Sequence, residues 1–211
     1  MIDIELQKRI LSSLILIPFS IFFIIKGSIF FILFLSFFLM ITIYEWAKMD
    51  IKNNFIKTLG IFFIFFSFVS AFFIRENEGQ EFLFLIILIC IFTDLGGYIF
   101  GKIIKGPKLT SISPNKTYAG VLGGLIFPFI AGNLYILYSN FHIFENSNFK
   151  FTIFILLISL LSQIGDLVVS YFKRRAKIKD TGKIIPGHGG LLDRIDGLIF
   201  VIPIVYLINL I

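Results

Sequence analysis

Charged residues are scarce in this sequence of 211 residues. They make up 15% of the chain, whereas 57% of the residues are hydrophobic and the mean hydropathy is +0.96. Soluble domains are about a quarter charged, so this chain lacks the polar surface that would cover a globule in water. A water-soluble enzyme is therefore excluded. Disorder is excluded as well, because 29 Phe residues and long Ile/Leu runs carry more apolar surface than a disordered segment does.

Cysteine and histidine are almost absent. The single cysteine, Cys90, lies inside an apolar run, which excludes a disulfide framework and predicts a small buried side chain. The two histidines are predicted to lie on opposite sides of a membrane, so we do not expect a zinc site. His142 is predicted to be a surface residue, and His188 is predicted to contact phosphate or relay a proton.

Long apolar runs predict an all-α polytopic integral membrane protein. A spanning helix needs about 20 residues, so we expect a bundle of about seven transmembrane helices, within a range of six to nine. The candidate spans are residues 10–25, 28–44, 57–74, 82–101, 119–139, 150–172 and 195–211. Only Lys26 and Gly27 separate the first two, which predicts a tight helical hairpin. Tyr44 and Trp46 end the second run, where their rings suit the headgroup layer.

Basic residues are distributed unevenly between the two sides of this predicted bundle. Sixteen of the 19 Lys and Arg residues fall on the side of the amino terminus. The exceptions are Lys26, Arg75 and Lys150. Loops rich in Lys and Arg stay in the cytoplasm and attract anionic lipid. We therefore expect a cytoplasmic amino terminus and two long cytoplasmic loops, residues 102–118 and 173–194.

Two carboxylates fall inside the apolar runs. Asp94 lies in the fourth run and Asp166 in the sixth. An Asp at the centre of a spanning helix costs about 2.5–3.5 kcal/mol on insertion scales, so each needs a partner, a metal or a wet cavity. This favours a functional site, with a structural role such as capping a kink or binding a neighbouring Lys as the alternative. Glycines beside the two runs predict close helix packing: Gly96, Gly97, Gly101, Gly120, Gly123, Gly124 and Gly165.

The loop SISPNKTYAG, which starts at Ser111, combines hydroxyls with a positive charge. Ser113 and Thr117 offer hydroxyls just before a predicted helix start, and Lys116 lies between them. Free backbone N–H groups at a helix N-terminus favour anions. The loop is therefore a candidate phosphate cradle, although it lacks the Walker A pattern.

Residues 170–196, SYFKRRAKIKDTGKIIPGHGGLLDRID, carry the strongest signal. They include seven basic residues and, near the end, Asp193 and Asp196 at spacing i, i+3. If Leu192 begins the last helix, this spacing places both carboxylates on one face. Paired carboxylates suit Mg²⁺, and Lys and Arg beside such a site suit a polyphosphate. Glycines in PGHGG let the backbone approach a ligand closely.

This segment resembles the signature of the phosphatidate cytidylyltransferases, also called CDP-diacylglycerol synthases. TDLGGYIFGKIIKG and SPNKTYAGVLGG are similar to two further blocks of that family, and the resemblance covers about residues 90–211. It implies a nucleotidyltransferase of phospholipid biosynthesis that makes CDP-diacylglycerol and pyrophosphate from CTP and phosphatidate with Mg²⁺. The lipid phosphate is itself an anionic nucleophile, so it is expected to attack the α-phosphate of CTP directly.

The resemblance also implies roles for individual residues. Asp166 and Asp193 would hold the metal centre, in which a monovalent cation such as K⁺ can accompany Mg²⁺, and Asp196 is a candidate additional ligand. Lys173, Arg174 and His188 complete the expected catalytic group. The expected substrate-binding residues are Asp94, Ser113, Lys116, Thr117, Ser170, Lys179, Asp180, Gly189, Gly190 and Arg194.

The implied organisation has two parts. Residues 1–81 would form about three N-terminal spans, and residues 82–211 would form the catalytic membrane region. Its partners would be CTP, phosphatidate and membrane lipid, with a homodimer as a candidate assembly and without nucleic acid. The implied location is a bacterial inner (cell) membrane, with the active site facing the cytoplasm.

Three alternatives stay open at this point. A CDP-alcohol phosphotransferase would use CDP-diacylglycerol, but it needs D-G-x-x-A-R, whereas Asp196 and Gly197 are followed by LIFV. An ion-coupled transporter would bind a cation through Asp94 and Asp166, although no internal repeat is visible. A scaffold without catalysis would leave both of these aspartates unexplained.

Overall fold

The computed structural model describes residues 4–110, 113–139, 148–187 and 189–209, with side chains from residue 11 onward. Within these ranges the chain folds into seven α-helices and forms no strand. The helices are α1 (Ile4–Lys26), α2 (Ser28–Lys48), α3 (Asn54–Glu78), α4 (Gln80–Ile103), α5 (Tyr118–Tyr138), α6 (Asn148–Arg175) and α7 (Leu192–Asn209). Each predicted apolar run lies largely within one helix. His142 and His188 lie outside the described residues.

Most of these helices are suited to cross a membrane. Five of them, α2 to α6, are long and apolar enough to do so. α1 has a shorter apolar stretch, Leu11–Lys26, and α7 carries Asp193, Arg194 and Asp196 in its first two turns. Large apolar side chains cover the outer surface, such as Phe62 at 69% exposure. The predicted fold class, an all-α polytopic membrane protein, is confirmed.

The predicted hairpin between α1 and α2 is present. Its turn is made at Gly27, whose φ of +62° is in the left-handed region that glycine adopts most readily. Arg75 of α3 packs on this turn, and its Nε donates to the carbonyl of Ile24 at 3.0 Å. The guanidinium also lies over the Phe31 ring, 5.7 Å from its centroid. Arg75 thus satisfies a free carbonyl at the end of α1.

Trp46 differs from its prediction. Instead of facing the headgroup layer, it is only 5% exposed, donates from Nε1 to the carbonyl of Lys57 at 3.0 Å and packs edge-on against Phe172. The sequence pattern located the end of α2 but not the direction of the ring, which is set by contacts with α3 and α6. Tyr44, by contrast, is 59% exposed.

Close packing of α4 on α5 confirms the interpretation of the glycines. These two helices share the most extensive contact in the structure. A Cβ on Gly123 would lie 2.5 Å from the carbonyl oxygen of Gly96, so the helices approach at a distance that only glycine permits. Cys90, on α4, is buried as predicted.

The helices alternate in direction, which gathers several of their ends. Glu45, near the end of α2, contacts Leu192 at the start of α7, and Lys116, just before α5, contacts Asp166 in the last third of α6. The ends of α2, α4 and α6 therefore lie beside the starts of α5 and α7. The two long basic loops connect at this same end of the bundle. Which side of a cell membrane it faces stays a prediction.

Candidate active site

Asp166 has different partners on its two carboxylate oxygens. Lys116 forms an ion pair with Oδ2 at 2.5 Å, and the hydroxyl of Ser170, one turn further along α6, donates to Oδ1 at 3.1 Å. The side chains of Lys116 and Asp166 are 26% and 27% exposed. This pair is partly buried, so it is less costly to separate than a fully buried pair and more costly than one at the surface. The carboxylate of Asp166 is therefore still accessible to another cation.

Asp193, in the first turn of α7, is held more firmly. Lys173 Nζ, on α6, donates to Oδ1 at 2.8 Å. The backbone N–H of Thr181, its hydroxyl and the backbone N–H of Gly190 approach Oδ2 at 2.8, 3.1 and 3.1 Å. The side chains of Lys173 and Asp193 are only 11% and 6% exposed. Asp193 therefore links α6, α7 and the loop of residues 176–191 through buried contacts.

Asp196 and Asp94 extend the acidic group. Asp196 is 8% exposed, and its Oδ1 accepts a hydrogen bond from the backbone N–H of Gly197 at 2.8 Å. It lies within electrostatic range of both Asp166 and Asp94. Asp94, on α4, also lies within range of Lys116. Carboxylates from α4, α6 and α7 therefore lie within electrostatic range of one another.

The oxygen atoms of this group fit a hard cation only in part. Mg²⁺ is usually held by one or two carboxylates together with substrate phosphates. A carboxylate has about four lone-pair sites, so Asp166 and Asp196 keep capacity beyond the bonds described above, whereas Asp193 keeps it only on Oδ1 because three donors approach its Oδ2. In the described part of the chain, no group of three or more His, Cys, Asp or Glu side chains could hold a metal ion. A cation here would need phosphate oxygens to complete its ligands, and the three metal ligands stay predictions.

Two glycines shape the turn that precedes α7. Ile185 and Gly189 are joined by backbone hydrogen bonds in both directions, at 3.0 and 3.2 Å. Gly189 has a φ of +88°, which favours glycine. A Cβ on Gly190 would lie 2.6 Å from an oxygen of Glu45, so this position also requires glycine. Both glycines have structural roles, and their predicted contact with substrate stays a prediction.

The loop before α5 uses its polar groups internally. The Thr117 hydroxyl accepts a hydrogen bond from the backbone N–H of Gly120 at 3.1 Å and so caps α5, which begins where predicted. The carbonyl of Ser113 accepts a hydrogen bond from the backbone N–H of Lys116 at 3.0 Å, which forms a tight turn. Lys116 reaches Asp166 from this turn. The phosphate cradle stays a prediction.

The remaining predicted residues lie around this centre rather than within it. Arg174 donates to the carbonyl of Ile178 at 3.1 Å and is exposed. Three more are exposed to solvent at the same end of the bundle: Lys179, Asp180 and Arg194. Asp180 lies beside Gly189. His188 is outside the described residues.

Glu45 belongs to the site, although the sequence did not single it out. It is 1% exposed, and it contacts both the loop of residues 176–191 and the start of α7. A carboxylate in the apolar run that forms α2 was the available signal, because such a group needs a partner. Glu45 directly follows the second candidate span, residues 28–44, and precedes the basic segment with Lys48 and Lys52.

Comparisons with known proteins agree with the family that the sequence motifs of residues 90–211 resemble. A family model described as "Cytidylyltransferase family" matches residues 50–211. The phosphatidate cytidylyltransferase of Rickettsia bellii is 33% identical over 214 residues, which cover 97% of this chain and 91% of that protein. The Rickettsia felis protein of the same name is also 33% identical, over 98% of this chain and 93% of its own length. The one from Staphylococcus saprophyticus is 41% identical over 61% of this chain and 49% of its own length.

Proposed function

Because the chain belongs to the cytidylyltransferase family, we infer that it transfers CMP from CTP to phosphatidate, giving CDP-diacylglycerol and pyrophosphate. One observation carries this proposal: carboxylates of α6 and α7 pair with two lysines, Lys116 and Lys173, at one end of an apolar bundle. All of these groups lie within the region that the family model matches. Family membership favours this reaction over a CDP-alcohol phosphotransferase, a transporter or a scaffold.

The position of the site suits both substrates. Phosphatidate carries its phosphate at headgroup depth, and CTP is dissolved in water, so the two can meet only where a membrane helix ends. The exposed basic residues Arg174, Lys179 and Arg194 lie at this end of the bundle. Cations arranged in this way attract phosphates and lower the repulsion between two anionic substrates.

The reaction is a single displacement at phosphorus. A phosphate oxygen of phosphatidate forms a bond to the α-phosphorus of CTP, and the bond from that phosphorus to the bridging α–β oxygen breaks. Its electron pair leaves with pyrophosphate. We assign to Lys116 and Lys173 the stabilisation of the charge that moves onto the leaving group, since positioning and electrostatics dominate such reactions. The pair of Lys116 with Asp166 is only partly buried, which supports this role for Lys116.

We propose Asp166, Asp193 and Asp196 as the residues that would hold Mg²⁺, with a monovalent cation such as K⁺ as a second ion. When bound, Mg²⁺ would supply positive charge that neutralises part of the charge of the phosphates. Asp166 and Asp196 have the freer oxygens. Asp193 has acceptor capacity left only beside the hydrogen bond that Lys173 donates to its Oδ1. Lys173 keeps this carboxylate oriented in either case.

We also propose that the site faces the cytoplasm from a bacterial inner membrane and that the protein forms a homodimer. The orientation is supported by the distribution of basic residues, 16 of 19 on the site's side of the bundle. A cytoplasmic site would give direct access to CTP.

The proposed reaction can be tested with detergent-purified protein. We expect radiolabelled CTP and phosphatidate to yield CDP-diacylglycerol when Mg²⁺ is present and none when EDTA replaces it. The product is measured by extraction into organic solvent and chromatography. Diacylglycerol in place of phosphatidate is the matched control, because it lacks the phosphate nucleophile. Folded protein that makes no product with both substrates and Mg²⁺ would disprove the proposed function.

A further inference from the structure

We propose that Glu45 is a positioning residue for this reaction, which holds Asp193 and the loop of residues 176–191 in place from a different helix. The proposal rests on the proposed function for its effect on turnover. Its structural part, the support of the loop by Glu45, can be tested without any activity. Glu45 lies 147 residues before Leu192 in the sequence, so its role depends entirely on the fold.

The burial of Glu45 is the first observation. Its side chain is 1% exposed near the end of α2, and a buried charge is costly unless hydrogen bonds compensate for it. Three donors approach its two oxygens. The backbone N–H of Leu191 donates to Oε1 at 3.0 Å, while the backbone N–H of Leu192 and the Thr181 hydroxyl approach Oε2 at 2.8 and 3.0 Å. The carboxylate is therefore fully engaged by the loop and by the start of α7.

These contacts place a negative charge at the N-terminus of α7. The first N–H groups of a helix have no partner within the helix, and that end carries a partial positive charge. Glu45 supplies an acceptor for Leu191 and Leu192, immediately before Asp193. It thus takes the role of a helix cap from outside the helix. The orientation of the first turn of α7, which carries Asp193, depends on this contact.

Thr181 connects Glu45 to Asp193 directly. Its hydroxyl lies 3.0 Å from Glu45 Oε2 and 3.1 Å from Asp193 Oδ2. Its backbone N–H donates to Asp193 at 2.8 Å, and Lys173 binds the other oxygen of the same carboxylate. A chain of contacts therefore runs from Glu45 through Thr181 and Asp193 to Lys173. It joins α2, the loop, α7 and α6.

Two glycines allow this arrangement. A Cβ on Gly182 would lie 2.5 Å from Glu45 Oε1, and one on Gly190 would lie 2.6 Å from Oε2. The loop thus wraps closely around the carboxylate of Glu45. Each glycine lies close to one of the two carboxylate oxygens, so a change in the position of the carboxylate would move the loop backbone as well as the Asp193 side chain.

Replacing Glu45 with Gln provides the test. The amide keeps the size of the side chain but presents an N–H₂ group to a set of donors, so the loop and Asp193 should shift. A misplacement of reacting groups by about 1 Å can cost about 100-fold in rate. We therefore expect kcat, normalised to the number of protein molecules that bind CTP, to fall about 100-fold. The KM values for CTP and phosphatidate should be almost unchanged. We also expect trypsin to cut faster at Lys177, Lys179 and Lys183, as located by mass spectrometry.

Glu76→Gln is the matched control, since Glu76 is exposed on α3 at the other end of the bundle. It should match wild type in both measurements. A lower yield of folded protein would not by itself change a kcat that is normalised to the protein molecules that bind CTP. This normalised kcat therefore distinguishes a misplaced site from a loss of stability. If Glu45→Gln does not fold, Thr181→Val decides, because it removes the hydroxyl that lies between Glu45 and Asp193, keeps the backbone N–H on Asp193, and should lower kcat in the same way.

The outcomes are distinguishable. An inactive wild-type protein would disprove the proposed function. The trypsin measurement would then still test whether Glu45 holds the loop of residues 176–191 in place. Wild-type kcat and wild-type cleavage in Glu45→Gln would disprove the proposal, as would wild-type kcat in Thr181→Val when that variant decides. A large rise in KM with an unchanged kcat would also disprove it, since that result indicates lost substrate binding.

Discussion

At the scale of single residues, two lysine–carboxylate pairs differ in how much they are exposed to solvent. This difference indicates that the two carboxylates have different roles in the site. Asp166 and Lys116 are about equally open to solvent, at 27% and 26%. Asp193 and Lys173 are nearly buried, at 6% and 11%. A partly exposed pair separates at a smaller cost than a buried pair, whose disruption causes a large loss of stability. We infer that Asp166 exchanges partners during the reaction and that Asp193 is a fixed point of the site.

The first residue-scale prediction concerns Asp193→Asn. The neutral amide leaves the Lys173 ammonium without its charge partner in a buried position, and removing one member of such a pair costs about 3–5 kcal/mol. We expect turnover to be lost and the temperature of unfolding to fall, while the protein stays inserted in the membrane. The measurements are activity, thermal unfolding in detergent and membrane fractionation.

Asp50→Asn is the control for this substitution. Asp50 is exposed between α2 and α3, so its amide variant should retain both activity and stability. Normal turnover in Asp193→Asn would show that Asp193 is not part of the active site.

At the scale of helices, the contact between α4 and α5 determines where Asp94 and the loop with Lys116 are placed. Gly96 and Gly123 meet backbone to backbone at its centre. Van der Waals packing and close approach drive the association of helices in lipid, where the hydrophobic effect is absent. This contact therefore has to be tight for the loop after α4 to reach Asp166.

A prediction for this interface compares two alanine substitutions. In Gly123→Ala the new Cβ would lie 2.5 Å from the carbonyl oxygen of Gly96, whereas in Gly97→Ala it would lie 3.6 Å from that of Gly120, an ordinary contact. Overpacking of this kind costs about 1–3 kcal/mol. We expect Gly123→Ala to unfold at a lower temperature and Gly97→Ala to match wild type, as measured by thermal unfolding in detergent. Equal unfolding temperatures would show that α4 and α5 can separate without penalty.

The helices could be predicted from the sequence because their signal is local. A run of about 20 apolar residues indicates a span wherever it occurs, and the start of α7 at Leu192 agrees with the spacing of Asp193 and Asp196. The direction of Trp46 and the role of Glu45 could not be predicted in this way. Trp46 is turned inward by Lys57 and Phe172. The partners of Glu45 lie 136 or more residues away, so no local pattern encodes them.

The site could be predicted only at the level of residue types. Carboxylates, lysines and glycines in residues 170–196 indicated phosphate chemistry, and the structure brings many of them together. The pairing of Lys116 with Asp166 depends on three helices that pack in one particular way. The charges alone allowed several pairings.

At the scale of the whole molecule, the charged side chains of the site lie at one end of the apolar bundle. The middle of the bundle is almost free of charge, and the charged groups gather at the end where α2, α4 and α6 meet α5 and α7. Three charges retained near the apolar helices have an identifiable partner: Lys116 is the partner of Asp166, Lys173 that of Asp193, and the start of α7 that of Glu45. We infer that this end is where a lipid phosphate meets a soluble nucleotide.

The most direct test of this account follows two positions of the nucleotide at once. Purified protein with phosphatidate and Mg²⁺ is given CTP labelled either at the α- or at the γ-phosphate. Direct attack at the α-phosphorus predicts that the α label appears in CDP-diacylglycerol, that the γ label appears in pyrophosphate, and that Asp193→Asn produces neither. Transfer of the γ label to lipid, or its release as inorganic phosphate without lipid product, would contradict the account.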